Sequence, residues 1–137
     1  MKVHFVGAAV AALLGSATLA PAAQTIVSSA IQTSHFSDNT AACYVRNVGR
    51  SPISVHVEFL ENFTPGFVTP DSDTCNGESP LAPGKSCLLH LNGLPSDVTV
   101  ECAATALTGN VSNLRGRAEL RFVQQDGETV TNAYDLR

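Results

Sequence analysis

Cysteine and histidine side chains are the residues of this chain with the widest range of chemistry. The cysteines are Cys43, Cys75, Cys87 and Cys102. Thiolates hold a structural zinc ion when they come in CxxC-like pairs, and no two of these cysteines have that spacing. The spacing therefore favours disulfide bonds, for which four cysteines allow three pairings.

We expect the disulfide bonds Cys75–Cys87 and Cys43–Cys102. The first closes a short loop through Pro80–Gly84, where two prolines and a glycine bend the chain back. The second joins two well-separated predicted strands, and the chain-entropy estimate for a loop of this length is about 4 kcal/mol of stabilisation. The other pairings remain open from the sequence.

The histidines that follow residue 22 are His35, His56 and His90. His56 and His90 occupy polar positions of two predicted strands. If those strands were neighbours, the two imidazoles could bind copper or zinc, whereas the more general interpretation is two solvated side chains. No G-x-S-x-G motif occurs. We therefore expect no catalytic residue, no cofactor and no enzymatic activity.

Two loop segments carry further candidate residues. Phe63, Pro65 and Phe67 place large apolar groups in a predicted loop, where they either pack over the end of a sheet or form a contact patch. We predict this loop as the partner-binding surface, should the chain bind a partner. The acidic segment Asp71–Glu78 resembles a calcium loop only superficially, because Asn76 stands where the motif requires glycine.

Residues 1–22 have the pattern of a secretory signal peptide. Lys2 precedes an apolar run from Phe5 to Leu14, and Ala20-Pro21-Ala22 offers a small-residue cleavage site. We expect cleavage after Ala22, with Ala23 as the alternative. The apolar run is shorter than the roughly 20 residues that a membrane span needs. We therefore expect a mature chain without a membrane span, located in the periplasm or outside the cell, where disulfides persist.

The composition predicts one acidic domain, residues 23–137. The chain has 8 Lys and Arg against 12 Asp and Glu, for a net charge of −4, and loss of Lys2 makes it more acidic. Nucleic-acid binding requires clustered basic residues that neutralise phosphates, so we expect no nucleic-acid partner. Arg115, Arg117 and Arg121 do cluster near one predicted strand, which is typical of a solvated face.

Beyond residue 22 the sequence reads as strands separated by turns. The clearest alternation is Ile53–Leu60, in which Ile53, Val55, Val57 and Phe59 share one face. Asn92-Gly93 and Asp126-Gly127 are predicted turns. The other predicted strands lie at 25–31, 41–47, 86–91, 98–107, 117–124 and 128–136, with a short edge strand at 67–69. The fold class is therefore all-β, an antiparallel sandwich of about seven to eight strands.

The order of motifs between Cys43 and Leu91 is similar to that of a known family. The motifs are Asn47-Val48-Gly49, then Pro52-Ile53-Ser54-Val55, then Cys75, and then Leu81-Ala82-Pro83-Gly84-Lys85-Ser86-Cys87. This order resembles bacterial immunoglobulin-like modules of the Hydin and major-sperm-protein type. The resemblance covers about half of the mature chain and implies an immunoglobulin-like antiparallel β-sandwich, with a disulfide across the proline-glycine turn. Leu89–Pro95 departs from the family pattern V-x-F-x-P, and Cys43 and Cys102 are additional.

The resemblance implies a non-catalytic interaction or structural module. We expect a small exported, disulfide-bonded domain of the cell envelope with a protein or glycan partner. The alternatives are a periplasmic metal carrier that uses His56 and His90, and a small hydrolase or inhibitor with an unrecognised site. The whole chain also resembles small exported proteobacterial proteins of unassigned function.

Overall fold

The fold consists of strands that form two antiparallel sheets. The computed structural model describes residues 22–33, 39–61, 70–77, 79–124, 126 and 129–137. The described residues form nine strands, which are β1 (Gln24–Val27), β2 (Ile31–Gln32), β3 (Asn39–Asn47), β4 (Val55–Glu61), β5 (Ser72–Asp73), β6 (Ser86–Leu94), β7 (Thr99–Ala106), β8 (Leu114–Val123) and β9 (Thr129–Asp135). Within these ranges the helical structure is one 3-10 turn, Val111–Asn113. The described residues contain no helix with the length and apolarity to cross a bilayer.

Each sheet has a central strand that the others flank. In the four-stranded sheet, β7 pairs with β4 on one side and with β1 and β2 on the other. The five-stranded sheet has the order β5-β6-β3-β8-β9. The two sheets pack face to face, which confirms the predicted all-β antiparallel sandwich. The number of strands in the described residues is higher than predicted, because the expected first strand is split and β5 is an additional short strand. The predicted edge strand at 67–69 lies outside the described residues.

A residue with a buried hydroxyl group directly follows each of the two pieces of the expected first strand, Ser28 after β1 and Thr33 after β2. Ser28 donates its backbone N–H to the Cys102 carbonyl at 2.9 Å, and its hydroxyl accepts the Cys102 N–H at 3.0 Å. Thr33 makes the same pair of bonds with Val98, at 2.8 and 2.9 Å. A side-chain oxygen thus replaces a backbone carbonyl where β1 and β2 leave the ladder, so β7 keeps its hydrogen bonds.

The predicted turn at Asn92-Gly93 is wrong, because β6 continues through it. Between the pairs Asn39↔Leu94 and Ala41↔Leu91, β6 has one residue more than β3. Gly93 has φ 67°, a left-handed conformation that glycine adopts without a Cβ clash. The Asn-Gly pair therefore forms a β-bulge rather than a chain reversal.

The core lies between the sheets and is crossed by a disulfide bond. Cys43 on β3 and Cys102 on β7 are fully buried and bonded to each other, with Cα atoms 6.0 Å apart. Cys75 and Cys87 form the second bond, with Cα atoms 4.9 Å apart. Both predicted pairings are confirmed. The predicted apolar face of β4 is also confirmed, since Val55 and Val57 are buried and Phe59 packs against the core.

Asn47 fixes the loop that the second disulfide closes. Its side chain is fully buried and donates to the carbonyls of Ser51 and Leu81, each at 2.8 Å. Its Oδ1 accepts the N–H of Gly49, also at 2.8 Å. Both N–H donors and the oxygen of this buried carboxamide therefore have partners, and the side chain links the end of β3 to the loop before β6.

Candidate functional site

The candidate site is a groove at one edge of the sandwich. β4 is an outer strand of the four-stranded sheet, and β5 is an outer strand of the five-stranded sheet. Between them lies a groove of about 300 Å³. Its described lining residues are His56, Val57, Glu58, Phe59, Pro70, Asp73, Asn76, Leu89 and Leu91.

The outward edge of β4 is occupied at Val57 by an asparagine side chain. Asn76 Nδ2 donates to the Val57 carbonyl at 2.7 Å, and Asn76 Oδ1 accepts the Val57 N–H at 2.7 Å. A single residue of an antiparallel neighbour strand would make the same pair of bonds. The Asn76 carboxamide thus imitates one position of a missing strand.

Asp73 holds Asn76 in this position. The Asp73 carboxylate accepts the N–H groups of Cys75 at 2.9 Å and Asn76 at 3.0 Å, and it also accepts Asn76 Nδ2 at 2.9 Å. Burial by itself raises the pKa of the Asp73 carboxyl. The hydrogen bonds from Asn76 and Cys75 and the nearby charge of His56 outweigh burial, so the pKa is lowered. The ionised carboxylate therefore stabilises the loop that carries Cys75 and Asn76.

Among the described residues, the covering of the β4 edge ends at Val57. Upstream, Ile53, two residues before β4, exchanges backbone hydrogen bonds with Leu81 at 3.1 and 2.8 Å, so Leu81 and Asn76 cover two separate positions of this edge. Phe59 is different: in the described part of the chain it pairs only with Cys102. Because the backbone of Cys102 bonds to Ser28 on its other side, the N–H and C=O of Phe59 point away from β7. This position faces the groove.

The groove combines an apolar floor with an acidic rim. Leu89 and Leu91 are buried at its base, and Phe59 is partly buried beside them. Glu58 and Asp73 are exposed at the rim. An apolar side chain on the floor and hydrogen bonds along the strand are therefore the contacts that this surface offers to a ligand.

The two histidines predicted as weak metal ligands do not share a site. His56 lies on β4 and His90 on β6, in different sheets, each between buried residues and therefore on an outer face. His56 Nε2 lies 4.0 Å from Glu58 Oε2, and His90 Nδ1 lies 3.7 Å from Asp71 Oδ2. The condition of neighbouring strands is not met, because β4 and β6 belong to opposite sheets. Among the described residues no cluster of three or more His, Cys, Asp or Glu could hold a metal ion.

The loop predicted to bind a partner lies outside the described residues. Phe63, Pro65 and Phe67 belong to 62–69, the segment that connects the end of β4 to Pro70 at the groove. His35 and residues 1–21 also lie outside the described ranges.

Sequence reasoning missed Asn76 and Asp73. Both stood in a segment recognised only as acidic, and the available signal was an Asp three residues before an Asn, a spacing that suits side-chain capping of a turn. The sequence does not show that Asn76 bonds to β4, because the strand beside this turn is set by the topology of the fold.

The comparisons with known proteins found no similar protein. Neither the protein-family models, nor the curated proteins, nor the solved structures include a match to this chain. The candidate site therefore rests on the geometry of the chain alone.

Proposed function

We propose that the mature domain is a non-catalytic interaction module of the cell envelope. In this proposal it receives an extended segment of a partner protein along the β4 edge at Phe59. The single observation that carries the proposal is that Asn76 covers the outward edge of β4 at Val57 in strand-like fashion, whereas Phe59, the next outward position, lines the groove without such a cover from the described residues.

Strand addition uses the features that this edge presents. Main-chain hydrogen bonds supply affinity that is independent of sequence, and pockets for alternate side chains supply specificity. Exposed edges are usually protected against such pairing. Among the described residues the protection here comes from Leu81 at Ile53 and from Asn76 at Val57, and it does not extend to Phe59. An added strand would therefore begin where the chain's own covering ends.

The groove supplies the specificity. An extended segment paired with Phe59 places alternate side chains over Leu89 and Leu91, which form an apolar floor. Full burial of one Leu or Phe side chain there contributes about 1.5–3 kcal/mol. The acidic rim of Glu58 and Asp73 favours a segment with a basic residue next to the apolar one.

Export and family membership are parts of the same proposal. The two disulfides support an oxidising compartment, and the pattern of residues 1–22 supports secretion. The buried Asn47 and the disulfide beside the proline-glycine turn give physical roles to the motifs that resemble immunoglobulin-like modules.

The test begins with site-specific capture. A photo-crosslinking amino acid replaces Glu58 at the groove in one sample and Arg50, in a loop away from it, in the other. Proteins crosslinked from the cell envelope only through position 58 are identified by mass spectrometry, and the crosslinked segment is made as a synthetic peptide. Amide exchange is then measured by NMR with and without that peptide.

Strand addition makes a specific prediction about these amides. The Phe59 N–H becomes protected on binding, whereas the Glu58 N–H, which lies in the ladder with β7, is already protected. Phe59→Ala and Phe59→Pro both remove the ring, but only the proline also removes the outward N–H. We expect weaker binding by Phe59→Pro than by Phe59→Ala. Equal affinities, or binding without protection of Phe59, would contradict the proposal.

A further inference from the structure

The outer face of the five-stranded sheet carries half of the basic side chains of the chain. Arg46 on β3 and Arg115, Arg117 and Arg121 on β8 are all exposed. They alternate with inward-facing residues of the two strands, so all four point to the same side. The whole chain has only 8 Lys and Arg and a net charge of −4. Its positive charge is thus concentrated on one face.

Two of these arginines lie directly opposite each other. Arg46 and Arg115 are cross-strand partners in the β3–β8 ladder. Like charges in this position destabilise a sheet. Arg115 donates Nη1 to the carbonyls of Ser112 and Leu114, at 2.8 and 2.7 Å, but Arg46 makes no ion pair with any residue that the structure describes. None of the ion pairs among the described residues involves Arg46, so the pair breaks a rule of sheet stability, as is expected at a binding site.

Tyr44 and Arg117 complete a small groove beside this pair. They are also cross-strand partners, one position along from Arg46 and Arg115 on the same face. A groove of about 280 Å³ is lined by Tyr44, Arg46, Arg115, Arg117, Ser86 and Asp135, together with Val45 and Gly116. Strand spacing places the four side-chain origins at the corners of a rectangle of about 5 by 7 Å.

Glu119 orients the arginine beside Tyr44. Its side chain is only 12% exposed and contacts Arg117 Nε at 3.2 Å and Arg121 Nη2 at 2.9 Å. The Arg117 side chain remains 56% exposed. Glu119 contacts Arg117 through Nε. The two terminal nitrogens of Arg117 can therefore bind a ligand carboxylate through two parallel hydrogen bonds.

We propose that Tyr44, Arg46, Arg115 and Arg117 bind a uronate residue of an acidic polysaccharide. The tyrosine ring packs on the face of one sugar ring, and the arginines bind its carboxylate and that of the next unit. An anionic ligand is favoured because three of the residues that line the groove are arginines. The small patch and the Asp135 carboxylate at its border match sparse carboxylates rather than the dense phosphates of a nucleic acid. This face belongs to the opposite sheet from β4, so the inference is independent of the proposed edge site.

The test is calorimetric titration of the mature domain with oligogalacturonate at low salt. Neutral dextran and polyphosphate of similar length are titrated alongside. The variants are Arg46→Gln and Arg117→Gln, and Arg50→Gln is the matched control because it removes the same charge from a loop outside this face. We expect affinity for oligogalacturonate to fall about tenfold or more in the first two variants. We expect less than about a twofold change in the control.

Three results would overturn the inference. The first is an absence of heat with oligogalacturonate under these conditions. The second is an equal loss of affinity in Arg50→Gln and Arg46→Gln, which would show only the long-range effect of net charge. The third is binding of polyphosphate as tight as that of oligogalacturonate, which would make the surface a general polyanion site without a sugar contact. Circular dichroism of each variant checks that the sheet is intact.

Discussion

Replacement of Asn76 by alanine tests whether its side chain covers the β4 edge at Val57 as a neighbouring strand would. The change removes both hydrogen bonds to Val57 and the bond from Nδ2 to Asp73. It leaves the Cys75–Cys87 disulfide and the backbone of the loop unchanged. The variant should therefore uncover one more position of the β4 edge without disturbing the core.

The magnitude follows from those bonds. A hydrogen bond of this kind contributes about 0.5–1.5 kcal/mol net, so the two bonds to Val57 together contribute about 1–3 kcal/mol. Asn76 is exposed, and water replaces part of the loss, which places the expected destabilisation near the lower half of that range, at about 1.5 kcal/mol. For a domain of this size the melting temperature should fall by about 6 °C.

Urea unfolding and amide exchange together measure the effect. The Val57 amide should exchange faster in Asn76→Ala, while the Glu58 amide, bonded within the ladder to β7, should keep its protection. Asn132→Ala, an exposed asparagine on β9, is the control and should change stability by less than about 0.5 kcal/mol. A Val57 amide that is protected equally in the variant and the parent would refute the reasoning.

Two further predictions concern the loop and the core. The lowered pKa of Asp73 means that its carboxylate stabilises the fold above the ordinary value of 3.8, and this stabilisation is lost as pH falls through the lower folded pKa. Exchange of the Asn76 amide should accelerate in that acidic range, and Asp73→Asn should abolish the pH dependence. In Gly116→Ala the new Cβ would lie 2.6 Å from Leu136 Cδ2, so we expect a loss of about 1–3 kcal/mol in urea unfolding. Gly77→Ala meets nothing within 4 Å and should be close to neutral, and equal effects of the two glycine variants would contradict the packing argument.

The parts of the fold that depend on one strand at a time were predictable. The alternation of Val55, Val57 and Phe59 needs only the period of two in a pleated strand, and the structure buries that face. The disulfide pairings followed from loop length and the proline-glycine turn. The bulge at Asn92-Gly93 was not predictable, because an Asn-Gly pair suits both a turn and a bulge, and the partner strand decides between them.

The candidate site was largely beyond sequence reasoning for the same reason. The polar positions of His56 and His90 were correct, but their assignment to opposite sheets is a matter of topology. Asn76 covers Val57 across a sequence separation of 19 residues, which no local pattern encodes. The clustering of Arg115, Arg117 and Arg121 near one strand was visible, yet the opposition of Arg46 and Arg115 required the register of β3 with β8.

The cross-sheet disulfide has a mechanical consequence. Cys43 and Cys102 lie on the central strands of the two sheets and are separated by 59 residues. If force pulls the chain from its two ends, tension passes through the sulfur–sulfur bond and bypasses the residues between them. About 200 Å of extended chain, at 3.3–3.6 Å per residue, is then withheld from stretching. The segment that is spared includes β4, Asn76 and the groove, so a domain under load would lose β1, β2, β8 and β9 while its candidate site carried no tension.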